Sequence, residues 1–405
     1  WSLFYGTAGG DVGGAGSSLI TINENTNGAG ADKFTMAAGS AITTTNATAN
    51  AVRVNVNAAA GGTGGAALQN ITTGSAGTIT VATNTGANIT GGSITQAAGT
   101  LLTAATGTVN LVTPAAGASG IGTPGANILT TAGTVTASTG SGGVFITETN
   151  GANVTATATG AGAISLTSTT GTLGVTGATA TGSGAVTLSS GDAVTLSANV
   201  GGAGSSPITI NVNTNGALAD SFTMAVGGAI TTTNAGAGAV AINVNAVAGG
   251  TGAAALRSIT TGAGGTITVA TDTGGNTTGG SITQTAATLL NVGTGTVALR
   301  TGGAAAGIGT AGTNILTTAG TVTAAAGTGG VFVTETDGAN VTAMATGVGP
   351  ITLTSTTGTL TVAGPTSTGS GAITLASGDA VTLHANVGGA GSSLITINAN
   401  TTGAG

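Results

Sequence analysis

The chain has no cysteine, a single histidine and only fourteen fully charged side chains in 405 residues: four Lys or Arg and ten Asp or Glu. Without cysteine there is no disulfide framework and no thiolate metal site. The acids, bases and activated nucleophiles that most catalysis needs are almost missing, so no enzyme activity, no cofactor and no metal centre is expected. Calcium-binding nonapeptide coils need dense Gly-Gly-x-Gly-x-Asp runs, and seven scattered Asp do not supply them. Lys33, Arg53, Arg257 and Arg300 lie far apart in sequence. Phosphate neutralisation needs clustered Lys and Arg, so a nucleic-acid partner is not expected.

Long apolar runs are lacking too. Clusters such as Ile20 to Ile22 and Val144 to Ile146 stop after a few residues, far short of the ~20 that a membrane-spanning helix requires. Seven aromatic residues cannot form the two interfacial girdles of a transmembrane barrel. The opening Trp-Ser-Leu-Phe-Tyr has no basic stretch and no long apolar stretch. Any export signal is therefore expected to have been removed or to lie outside this sequence.

What remains is 79 Gly, 40% hydrophobic residues and many short clusters of Val, Ile and Thr. Disordered chains are usually rich in charge and proline, and only 3% of these residues are charged. Helix is disfavoured throughout by β-branched residues and glycine. The expectation is a folded, all-β chain without an aromatic core.

The strongest signal is an internal repeat. VGGAGSSLITINENTNGAGADKFTM at Val12 to Met36 returns as VGGAGSSPITINVNTNGALADSFTM at Val200 to Met224. At the same offset Ile42 matches Ile230 and Val109 matches Val297. After one deletion, Phe145 matches Phe332 and Asp192 matches Asp379. A third copy starts at Val387 as VGGAGSSLITINANTTGAG. The expected organisation is a divergent segment over 1–11, long repeats over 12–199 and 200–386, and the start of a third over 387–405.

Within a repeat the pattern is finer. In GAVTLSSGDAVTLSANV, from Gly184 to Val200, Val186, Leu188, Val194 and Leu196 alternate with small polar residues, and Gly191-Asp192 makes the turn. Apolar centres from Phe145 to Ile208 space out to about 21 residues per pair of strands. These features predict a right-handed parallel β-helix, a β-solenoid of about 21 residues per coil, extended into a rod. A flat silk-like Gly/Ala stack is the alternative, but it would not repeat irregular turns at long intervals.

The rungs GAVTLSSGDAVTLSANV and GAITLASGDAVTLHANV, with GPITLTSTTGTLTVAG at Gly349 to Gly364, resemble the coils of filamentous-haemagglutinin-like and related β-strand-repeat proteins of bacterial surfaces. The resemblance implies a secreted adhesin stalk or extracellular fibre. The Asn-Pro motif of that family's secretion domain is absent, since none of the five Pro follows Asn, and the export route stays open.

Few residues stand out as site candidates. Asp192 and Asp379 follow Gly in equivalent turns and read as backbone-capping residues. Glu148 and Glu335 occupy equivalent places in separate repeats, too far apart in sequence to serve as one acid–base pair. His384 replaces the Ser197 of the earlier repeat, which argues against catalysis. Asn23, Asn25 and Asn27, like Asn211, Asn213 and Asn215, alternate along a strand and are expected to stack as an amide ladder. Thr134-Val-Thr136 and Thr321-Val-Thr323 have the form of a lattice-matching face for ice or a polysaccharide. The motif, however, is not found at the same place on successive coils. Trp1, Leu3, Phe4 and Tyr5 are expected to cap the first coil or to receive another subunit. The partners expected are therefore further copies, in a homopolymeric fibre, and a surface carbohydrate.

Overall fold

The computed structural model describes every residue except 1, 4–6, 9, 29, 86–88, 217–218, 390, 392–393 and 404–405, with the backbone alone described at 2, 3, 7, 8 and 274. Contacts divide the chain into two units, Trp1–Ser190 and Gly191–Gly405. In each, the named strands pair in parallel, and a single 3-10 turn at Thr273–Gly275 is the one helical segment among the described residues. The all-β solenoid expected from the sequence is the architecture found.

In the first unit the coils begin three-sided. One side stacks the longer strands Ile20–Glu24, Val52–Val56, Thr78–Ala82, Thr108–Val112, Thr134–Thr139 and Ala152–Ala158. A second side stacks Ala41–Thr43, Asn70–Thr72, Leu102–Thr103 and Ile128–Thr131. A third stacks Phe34–Met36, Ala66–Leu68 and Ile94–Gln96. The third side then disappears. Ile121 bridges Ile94 and Val144, while Ile146 to Glu148 of the same strand pair with Ile128 to Thr130. One strand, Val144–Glu148, thus merges two sides, and the coils that follow are two-sided, continuing through Ile164–Ser168 and Val186–Ser190.

The second unit repeats this plan. Its long strands run Ile208–Val212, Val240–Val244, Thr266–Ala270, Thr296–Arg300, Thr321–Ala326 and Ala339–Ala345. Gly330–Glu335 is the merging strand: Val331 pairs with Ile308 and Val333 with Ile315.

Coil length follows the number of sides. In the three-sided part, the facing residues Asn23 and Asn55 are 32 residues apart, and Asn110 and Thr136, nearer the merger, are 26 residues apart. In the two-sided part, Ser138 and Thr157 are only 19 residues apart. A period near the expected value of about 21 residues is thus reached only after the merger. Before it, each coil devotes extra residues to a third short strand and more corners.

The core is narrow because period-2 alternation points every second side chain inward. Val52, Val54, Ile79, Val109 and Leu111 are fully buried, whereas Arg53 between Val52 and Val54 is exposed. Each such aliphatic side chain contributes roughly 1.5–3 kcal/mol by leaving water, and a coil supplies only a few. Stability therefore accumulates by stacking. At the merger, Gly122 and Gly309 both hold φ +66°, and a Cβ there would sit 2.5 Å from the carbonyl oxygen of Phe145 or Phe332. Only glycine satisfies both the left-handed backbone and the close approach.

Candidate functional site

Three of the fourteen charged side chains, Glu24, Glu148 and Glu335, are buried inside the coil walls; the others are half-buried or exposed. Glu148 and Glu335 end the two merging strands and are almost fully buried, each 1% exposed. Strand parity puts them there, since Glu148 shares the inward set with Val144 and Ile146. Glu148 accepts hydrogen bonds from the Thr130 hydroxyl at 2.6 Å and from the N–H groups of Ala132, Thr149 and Asn150. Burial pushes its carboxyl above the usual range, while those hydrogen bonds oppose the rise. Glu335 accepts from the Thr317 hydroxyl and from the N–H groups of Ala319 and Thr336. Burial pushes this carboxyl up to about 7, with Asp337 adding to the shift where the first repeat has Asn150. Both carboxylates tie the end of one coil to the turn of its neighbour.

A second buried system is built from asparagine. Asn25 donates to Asn57 at 2.9 Å, and Asn213 donates to Asn245 at 3.0 Å. Asn57 and Asn245 also hold the coil corner, donating to the carbonyls of Gly64 and Thr83, or of Gly252 and Thr271. All four residues adopt positive φ between 54° and 60°, the conformation asparagine tolerates best after glycine. Along the adjacent strand position, Asn55 donates to Asn23 and Asn243 donates to Asn211. The expected amide ladder exists in this form for Asn23, Asn25, Asn211 and Asn213, whereas Asn27 and Asn215 are exposed and Asn215 donates to Asp192 instead. Its other half, Asn57 and Asn245, is hidden from the sequence pattern, because a distance of 32 residues from Asn25 and Asn213 does not fit a uniform short coil.

The turn residues have individual partners. Asp192 Oδ1 accepts from the Asn215 amide at 2.9 Å, and Asp379 Oδ2 accepts from the Gly358 N–H at 3.0 Å. His384 is exposed and bonds Val362 through its backbone N–H. Trp1, Phe4 and Tyr5 lie outside the described residues, and for Leu3 the backbone alone is described, paired with Ile22. Among the described residues no three His, Asp or Glu side chains gather as metal ligands.

On the outside, the varying coil length brings threonines into register after all. In the second unit Thr266, Thr296, Thr321, Asn340, Thr361 and Thr382 form one column over six coils, and Thr268, Ala298, Thr323 and Thr342 form the next. In the first unit Thr78, Thr108, Thr134 and Asn153 align beside Thr80, Asn110, Thr136 and Thr155. Neighbours within a column are one strand spacing apart, ~4.8 Å, and the columns lie ~6.6 Å apart along the strand. The full Thr-x-Thr motif occupies this place on alternate coils only, with Thr108-x-Asn110 and Thr296-x-Ala298 between, so it does not recur on successive coils, as expected. The steps from Thr266 to Thr296, to Thr321 and to Asn340 shorten along the chain, and they conceal an alignment that a fixed period would not produce.

The two faces differ in relief. In the first unit Asn110 accepts a hydrogen bond from Thr136 at 2.7 Å. In the second, Ala298 and Ala325 leave a shallow trough of about 440 Å³ between Thr268, Thr323, Arg300 and Met344. Arg300 Nε pairs with Asp272 at 3.0 Å on this surface.

Comparison of the chain with known protein families, with curated proteins and with solved structures finds no match.

Proposed function

We propose that the chain is a non-enzymatic structural segment of an extracellular fibre or adhesin stalk, secreted to a bacterial surface and built to persist there. The observation that carries this reading is the reuse of one complete wall design, with the same merger of sides, in both repeats. A fold that commits its few carboxylates and its asparagines to pinning coils together serves extension and durability. The rungs' resemblance to filamentous-haemagglutinin-like repeats points the same way, and so does the shortage of groups able to do chemistry. Self-association into a homopolymer fits a wall whose units differ little from one another.

The test is immunogold labelling of intact source cells with an antibody raised against residues 200–386. Label along surface fibres supports the reading, and label found only after lysis overturns it.

A second reading is favoured by one specific observation, the aligned threonine columns. Hydroxyl and methyl groups repeated at the strand spacing suit a repeating solid such as a crystalline polysaccharide or ice. Co-sedimentation with insoluble polysaccharide and ice-affinity partitioning would test it, and replacement of Thr321 and Thr323 by Lys should abolish binding.

A further inference from the structure

Three Asn-Gly steps occur in the chain, at Asn27-Gly28, Asn150-Gly151 and Asn215-Gly216. Asparagine is a chemically labile side chain, most of all before glycine, where no side chain shields the next peptide nitrogen from the asparagine Cγ. The fold treats the three steps differently. The Gly28 and Gly216 N–H groups donate to the carbonyls of Asn25 and Asn213, each at 3.4 Å. The Asn215 side-chain amide is also held, donating to Asp192 Oδ1 at 2.9 Å. At the seam, Asn150 is exposed, and among the described residues neither its side-chain amide nor the Gly151 N–H has a hydrogen-bond partner. Only the Asn150 backbone N–H is engaged, donating to Glu148 at 3.4 Å.

Gly151 cannot be exchanged for a residue that would shield its nitrogen. It holds φ +86°, and a Cβ there would sit 2.9 Å from the backbone nitrogen and oxygen of Thr172. The second repeat shows what loss of ammonia would leave. Its corresponding step is Asp337-Gly338, with Gly338 at φ +94°, and the Asp337 carboxyl hydrogen-bonds to Glu335. The surroundings match otherwise: Thr130 and Ala132 donate to Glu148 as Thr317 and Ala319 donate to Glu335.

We propose that Asn150 is a site of spontaneous deamidation, which converts the first seam into the two-carboxylate form that the second repeat encodes. The Gly151 peptide nitrogen, after giving its proton to hydroxide, attacks Asn150 Cγ. The new N–C bond closes a succinimide ring as the Cγ–Nδ2 bond breaks, and Nδ2 takes up a proton and leaves as ammonia. Water then opens the ring at either carbonyl, giving aspartate with the original backbone or isoaspartate with the chain rerouted through Cγ. The sum is amide plus water going to carboxylate plus ammonium, with no oxidant, metal or enzyme.

The product changes how the seam responds to pH. Glu148 is the sole titratable side chain between Arg53 and Asp192, so the strands packed against it, Ile128–Thr131 and Ile164–Ser168, bring no other charge. A carboxylate at position 150 gives it a like-charged neighbour and favours its protonated form further. Stability held by that protonated form is present at low pH and lost as pH rises, so the aged first unit weakens toward alkaline pH.

The test is ageing of the full chain at mildly alkaline pH, followed by peptic digestion in acid and mass spectrometry of the peptides. Conversion at Asn150 should run about tenfold faster than at Asn27 or Asn215 in the native chain. The three rates should converge in urea, where the hydrogen bonds of the fold are gone. Equal rates in the native chain, or an Asn150 amide that survives in the fold but converts in urea, would overturn the site. The effect on the seam is read from Asn150→Asp, whose melting temperature should fall by roughly 2–4 °C more than that of the unaged chain between about pH 5 and pH 8. Asn150→Gln, which closes the corresponding larger ring far more slowly, should neither age nor steepen the fall. An unchanged pH profile in Asn150→Asp would overturn the claimed conversion of the seam.

Discussion

The three-sided and two-sided parts of each unit are built from the same alphabet and differ in what holds their corners. Three-sided coils are the longer, reaching 32 residues between paired asparagines; they turn on asparagines at positive φ and lock those corners with buried amide pairs. Two-sided coils are shorter and, among the described residues, hold no asparagine at positive φ; they turn on glycines such as Gly151 and Gly171 and bury Ser and Thr hydroxyls bonded to backbone carbonyls, as at Ser190 and Thr181, a bond the three-sided coils also make at Thr44 and Thr83. Between them sits one strand with a buried glutamate. The lesson is that a solenoid wall can change cross-section within a few residues if a glycine allows the bend and a carboxylate satisfies the N–H groups left at the seam.

The comparison breaks most sharply at the seam itself. Gly309→Val should cost the second unit roughly 2–4 kcal/mol, since it imposes a β-branched side chain on a left-handed backbone and against the Phe332 carbonyl. Thermal melting read by circular dichroism should show the loss. The same change at Gly312, whose Cβ would meet nothing within 4 Å, should be close to neutral.

Next in size is the corner of the three-sided coils. Asn245→Ala removes a buried amide that donates to two carbonyls and accepts from Gly252 N–H and Asn213. A loss of about 2–3 kcal/mol is expected in denaturant unfolding. Asn245→Asp should cost a similar amount, because an ionised carboxylate cannot donate to the Gly252 and Thr271 carbonyls.

The seam glutamate gives a pH effect. With the Glu335 pKa raised from 4.5 to about 7 in the fold, its contribution to stability is complete below about pH 4.5 and is lost as pH rises through about 7. Glu148, also raised by burial, acts with the same sign, and so does Asp220. Melting temperature should therefore fall between about pH 5 and pH 8, and Glu335→Gln should flatten that fall. An identical pH dependence in the variant would show that the carboxylate is not the titrating group.

The smallest effect belongs to the outer columns. Thr323→Ala should change stability by less than about 0.5 kcal/mol, because its side chain faces outward and packs little. A larger loss would mean that the columns hold the wall together rather than decorate it.

Much of the fold was legible in the residues. Alternation at Val186, Leu188, Val194 and Leu196, glycine at the corners and the long repeat lead directly to stacked parallel strands. Coil length was not legible, because the third side is written in three-residue strands such as Phe34–Met36 and Ala66–Leu68, too short to stand out among glycines. The outer face was not legible for the same reason: Thr108 and Thr134 are neighbours only across a step of 26 residues, which a coil of about 21 residues does not suggest. The burial of Glu148 and Glu335 carried a usable signal. Each lies two positions beyond a buried Ile or Val in the same strand, and period-2 parity alone sends it inward.

The change of coil length is most directly tested by oxidative cross-linking, which the cysteine-free chain makes clean. Thr268 and Ala298 are register partners on neighbouring three-sided coils. Adjacent parallel strands bring such partners within the ~4.4–6.8 Å between Cα atoms that a disulfide spans. The double variant Thr268→Cys, Ala298→Cys should oxidise to an intramolecular disulfide, whereas Thr268→Cys, Leu289→Cys, spaced for a uniform coil of about 21 residues, should stay reduced. Efficient cross-linking of the second pair and not the first would contradict the account.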